Sequence, residues 1–96
     1  MVGLKSTKDG ILHIKNIKPL KDLHINADAR HGTIAVELSS TGNIISGFEL
    51  VNCSIITGDS IDHLVKWSNS LPINEKTVDI KIVIQNEAEI FSLWWT

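Results

Sequence analysis

The 96-residue chain predicts an all-β fold, a two-layer antiparallel sandwich of about eight short strands. Three observations predict it. The apolar fraction is 43% and isoleucine leads it, and β-branched side chains pack well on a pleated surface. Apolar and polar residues alternate with period two over several stretches. Turn-forming clusters separate those stretches at regular spacing, and no long helical period intervenes.

The elements follow in order. Lys8-Asp9-Gly10 is a turn signal before a strand at Ile11-Leu12-His13-Ile14. Ile17 to Leu20 is a connection, because Pro19 removes a ladder donor. Asp22 to Ala27 alternates, with Leu23, Ile25 and Ala27 on one face. Asp28 to Gly32 is expected to be a loop. Thr33 to Ser39 sends Ile34, Val36 and Leu38 inward and Ala35, Glu37 and Ser39 outward. Ser40-Thr41-Gly42-Asn43 is a hairpin turn. Ile44 to Cys53 reads as two short strands divided by Gly47. From Asp59 to Trp67 a helix with Ile61, Leu64 and Val65 on one face competes with a strand in which Val65 and Trp67 share a face. Leu71 to Thr77 is a short connection. Val78, Ile80, Ile82 and Ile84 alternate with Asp79, Lys81, Val83 and Gln85. Asn86 to Glu89 is expected to turn the chain into a closing strand, Ile90 to Trp95. Strict alternation there points Phe91, Leu93 and Trp95 inward, and Ile90, Ser92 and Trp94 outward.

A chain of this length is one domain, residues 1–96, burying only about 60% of its unfolded surface. A deep cleft would consume core that it can hardly spare. The net charge of −2 with both signs interspersed opposes a nucleic-acid partner, which needs a basic stripe. Lys15, Lys18 and Lys21 form the one basic run, and lysines of this kind guard sheet edges. No apolar run is long enough to span a membrane as a helix. The opening segment MVGLKSTKDG has no signal-peptide core, so a complete chain is expected in the cytoplasm. Cys53 is the sole cysteine, which excludes an internal disulfide and fits a reducing compartment.

Signals for catalysis are weak. His13, His24, His31 and His63 show no metal-ligand spacing, and no cofactor or metal is expected. His13 and His24 are expected to face solvent. Cys53 with His63 can be drawn as a nucleophile and base, but a small thiol packed at a strand end is the simpler account. Asp59, Ser60 and His63 are the most suggestive polar group, and hydrogen bonding to backbone amides in a tight turn explains the first two. Trp67 belongs with the core. Trp94, with Ile90 beside it, is the candidate surface for a ligand, a sugar or a subunit contact.

A wider pattern joins these pieces. Ile25-Asn26-Ala27-Asp28, Gly47-Phe48-x-Leu50 and Cys53 are followed by the turn Gly58-Asp59-Ser60-Ile61-x-His63. Then come Val65-Lys66-Trp67 and Glu89-Ile90-Phe91-Ser92-Leu93. In order and spacing this resembles the small C-terminal β-sandwich of sialidase-like and family-32/43-like glycoside hydrolases. The resemblance implies a jelly-roll or concanavalin-like sandwich and a strand, not a helix, before Trp67. It implies an accessory module whose catalytic carboxylates sit in another domain. The expected function is therefore non-catalytic: docking to a glycoside hydrolase catalytic domain, or weak carbohydrate binding. The alternative is a free-standing protein acting through self-association, as a homodimer, and an enzyme in its own right is the third reading. The resemblance also implies that Leu71 to Thr77 is shorter than in relatives, and that Trp94 replaces a polar residue.

Overall fold

The computed structural model describes residues 2–68, 73 and 75–96, with side chains from Gly10 onward. Alternating apolar positions build five strands among these residues: β1 (Val2–Ile17), β2 (Leu23–Ser40), β3 (Asn43–Ile44), β4 (Ile56–Val65) and β5 (Val78–Trp95). Leu50–Asn52 is a single 3-10 turn. All pairings between strands are antiparallel, and they form one curled sheet in the order β1-β5-β2, with β3 and β4 both on the far side of β2.

Five strands stand where about eight were expected, for a definite reason. The anticipated turns at Lys8–Gly10, Asp28–Gly32 and Asn86–Glu89 do not reverse the chain. Strands β1, β2 and β5 run through them. Each expected turn is instead a slip in register, and the slips lie opposite one another. In β1 the slip falls between Lys8, paired with Glu89, and Gly10, paired with Ile84. In β2 it falls between Asp28, paired with Glu89, and Thr33, paired with Gln85. In β4 it falls between Gly58, paired with Ala29, and Ile56, paired with Ile34. A crease thus crosses four strands at one level. Asn86 and Glu87 supply the bend with φ of 58° and 69°, and Gly58 with 87°.

The crease keeps one face inward on both sides of it. Before it β2 buries Leu23, Ile25, Ala27 and Ala29; beyond it, Ile34, Val36 and Leu38. The switch from odd to even positions compensates for the slip, since a one-residue shift would otherwise turn every apolar side chain outward. With Val78, Ile80, Ile82, Ile84, Ile90 and Leu93 of β5 these residues form a single core.

Several local expectations are met. Thr41 and Gly42 both have positive φ between the pairs Ser40–Asn43 and Ser39–Ile44, so the hairpin turn is as expected. Residues 56–65 are a strand, not a helix. Trp67 is half-buried against the core, donates its Nε1–H to the Val36 carbonyl at 2.8 Å and meets the Phe48 ring edge-on at 5.2 Å. One local expectation needs correction. Beyond Ile44 the chain does not form a second strand: Gly47 (φ 89°) leads into the 3-10 turn, and Cys53 makes only an isolated bridge to Trp67. The short connection Leu71–Thr77 lies in part outside the described residues.

Candidate functional site

The closing strand departs from strict alternation. Asn26 pairs with Ser92, yet its neighbour Ala27 pairs with Ile90, so Phe91 is an extra residue in a bulge. Ile90 and Leu93 therefore both point into the core, each 0% exposed, and Phe91 turns outward, 38% exposed. This corrects the expectation for Ile90. It is a core residue and belongs to no exposed surface. Phe91 takes its place on the outside. Trp94 does sit on the outer face, half-exposed, and Trp95 packs partly on the core.

A matching bulge lies on the other side of β2. Ile25 pairs with His63 and Ala27 with Ser60, so Ile61 and Asp62 both stand against Asn26. Ile61 is 80% exposed as a result. Beside these two bulges a cross-strand row runs over the outer face: Leu64 of β4, His24 of β2 and Trp94 of β5. Leu64 is 42% exposed.

His24 is the hub of that row. Its imidazole lies parallel to the Trp94 indole, with centroids 5.3 Å apart and planes 8° apart. Its Nδ1 bonds the Asp62 carboxylate at 2.6 Å and its Nε2 meets the Thr96 hydroxyl at 2.9 Å. With Nδ1–H donating to Asp62, Nε2 is free to accept from Thr96. The expectation that His24 simply faces solvent is corrected: the side chain is largely covered.

Carboxylate, imidazole and hydroxyl in series are the parts of a nucleophile-and-base relay. Here the relay lies open on a sheet surface. Both ends of Thr96 are also committed to the backbone, its N–H to the Asp22 carbonyl and its carbonyl to the Lys21 and Asp22 amides. The geometry ties the end of β5 to the edge strand β4 across β2.

The remaining candidates lie elsewhere. Ser60 Oγ accepts the Asp62 amide at 3.0 Å, a backbone contact of the kind expected. His63 donates Nε2–H to the Ala27 carbonyl at 3.0 Å and stands across from Ile25, whereas Cys53 bridges to Trp67 and its Sγ accepts the Val36 amide. Asp59 is exposed and stands across from Asp28. Asp28 is held below its ordinary value by hydrogen bonds from the Arg30 side chain and backbone, and Arg30 is raised in turn, chiefly by Asp28 and further by Asp59. Thus Asp59, Ser60 and His63 share β4 but converge on nothing with Trp94. Burial pushes the Cys53 thiol above its usual range, opposite to what a nucleophile needs. Among the described residues no group of three or more His, Cys, Asp and Glu side chains is arranged to hold a metal.

His24, Asp62 and Thr96 are 38 and 72 positions apart, so no local motif joins them. The signal that could have found them is strand register, and only with both bulges placed.

Compared with protein-family models, curated proteins and solved structures, the chain has no match.

Proposed function

We propose that this domain is a non-catalytic accessory module of the glycoside-hydrolase kind, docking on a larger catalytic domain through the outer face around Trp94. Its finer architecture is then a two-layer jelly-roll: the crease would fold the sheet so that its two halves face one another across the common core. The single observation that carries the docking role is the exposed apolar strip of Ile61, Leu64, Phe91 and Trp94, whose neighbouring rows on this side of the crease, Asn26–Ser92 and Asp28–Glu89, are polar. Such a strip amounts to roughly a few hundred Å², the size of patch that marks interaction sites. At about 25 cal/mol per Å² its burial is worth several kcal/mol. His24, Asp62 and Thr96 provide a satisfied polar centre that holds the aromatic in place. The resemblance of the 25–28, 47–67 and 89–93 segments to accessory sandwiches favours a larger domain as the occupant.

A second reading, self-association, has one observation of its own. The patch borders β4, which among the described residues has a neighbour on one side only, so a second copy could cover face and edge together. Weak sugar stacking on Trp94 has less support, because His24 already occupies one face of the indole.

The test has two measurements. Aryl glycosides and esters should show no turnover above buffer, and turnover abolished by His24→Ala or Asp62→Asn would overturn the non-catalytic assignment. Light scattering after size exclusion should give a monomer across a dilution series. A dimer lost in the Leu64→Thr/Phe91→Ser double variant would replace docking by self-association.

A further inference from the structure

A second outer surface lies on the far side of the crease and is independent of the docking patch. There the cross-strand register sets His13 of β1 beside Lys81 of β5, and Lys81 beside Glu37 of β2. The next row places Asp79 beside Ser39, and Ser39 beside Ile44 of β3. Together these residues line a half-open groove of about 260 Å³.

The groups in it differ in what they still need. Asp79 accepts the Asn16 amide at 3.0 Å and pairs with Lys15 at 3.6 Å. Glu37 accepts the Leu50 amide at 3.2 Å. These bonds anchor both carboxylates and leave each with further lone pairs, since a carboxylate has about four acceptor sites. The hydrogen bonds and ion pairs among the described residues give no partner to the Lys81 ammonium, the His13 ring or the Ser39 hydroxyl. Ile44, 52% exposed, forms an apolar wall at one end.

We propose that this groove binds one sugar residue that carries a carboxylate, a uronic-acid type of ligand. Lys81, with His13 beside it, faces the ligand's carboxylate. Glu37 and Asp79 accept its ring hydroxyls, and Ser39 can donate or accept. Ile44 meets the C–H face of the ring. The two fixed carboxylates oppose a bare polyanion such as phosphate, and the free ammonium favours an acidic over a neutral sugar. Drug-sized pockets run from about 300 to 1,000 Å³, so the groove holds a single ring and not a chain. A shallow site of this kind binds at about 1 mM. The proposal goes beyond docking and stands without it, because groove and patch share no residue.

The experiment is an amide-resolved NMR titration of the whole domain with sodium glucuronate, glucose and inorganic phosphate as separate probes. Glucuronate should shift the amides of His13, Ser39 and Lys81 with saturation in the millimolar range and leave Leu64 and Trp94 unmoved. Glucose and phosphate should bind at least about tenfold more weakly, an energy difference of about 1.4 kcal/mol. Lys81→Met should weaken glucuronate by a similar factor while retaining the dispersed spectrum, and Leu64→Thr should leave it unchanged. Equal shifts with phosphate, equal shifts with glucose, or no saturable shift in the groove would each overturn the proposal. The wild-type comparison of the three probes decides it even if the variant does not fold.

Discussion

Gly32→Ala should strongly destabilise this domain. Gly32 sits in the crease, where residues 29–32 of β2 stand against residues 86–88 of β5. A Cβ there would lie 2.0 Å from the Gln85 carbonyl oxygen, 2.6 Å from the Asn86 carbonyl oxygen and 2.9 Å from the Ala88 nitrogen. All three are backbone atoms, so no rotamer change relieves the clash. Comfortable contact needs about 3.5 Å, so the two strands must part by about 1–1.5 Å. Overpacking alone costs about 1–3 kcal/mol. Losing one or two neighbouring ladder bonds adds about 1 kcal/mol each. The sum, about 3–5 kcal/mol, is a large part of the 5–15 kcal/mol that a domain commonly has. The assay is urea unfolding followed by tryptophan fluorescence, with Gly42→Ala as the control. Gly42 has positive φ (84°), unlike Gly32, but open space surrounds its Cβ position. It should lose only about 1–2 kcal/mol. If Gly32→Ala were no less stable than Gly42→Ala, the close backbone approach at the crease would be refuted.

Trp67→Ala should cost about 2–4 kcal/mol, below the full value for a buried tryptophan because the ring is half-exposed, and Trp67→Phe should recover part of the packing but not the bond to Val36; wild-type melting in the alanine variant would remove its anchoring role. Glu49 is held below its ordinary value near 4.5 by its own backbone N–H first, then by Gly47 and Asn52. Its contribution is therefore present above the unfolded pKa and lost as pH falls through the lowered folded value. Glu49→Gln should melt below wild type at neutral pH, the gap closing as pH falls through the lowered folded value, and a gap constant with pH would contradict this. Cys53, raised by burial, should react with a disulfide reagent at least about tenfold more slowly in the native protein than in urea, and equal rates would show an open thiol.

The strand cores were readable because their side chains alternate. Ile34, Val36 and Leu38, and Val78 through Ile84, are buried as period two demands. The turn residues were also informative, for Lys8–Gly10, Asp28–Gly32 and Asn86–Glu89 do mark departures from regular strand. What local chemistry cannot decide is whether such a departure reverses the chain or bends it. Asn86 and Glu87 in the left-handed region would suit a hairpin as well as a crease. The outcome depends on the partner strand. A lone irregularity among straight neighbours could close a hairpin, whereas irregularities aligned across β1, β5, β2 and β4 make a fold line that all four strands cross together. The same non-locality explains Ile90. Alternation from Trp95 backward places it outside, and one inserted residue at Phe91 moves it into the core. It also explains the site. Two bulges on either side of Asn26 bring Ile61 and Phe91 to the surface, beside a row in which His24 reaches Asp62 and Thr96. The exposed Ile61 and Phe91 are thus made by the two places where regular pairing is broken, which is where the sequence pattern alone is least able to assign a face.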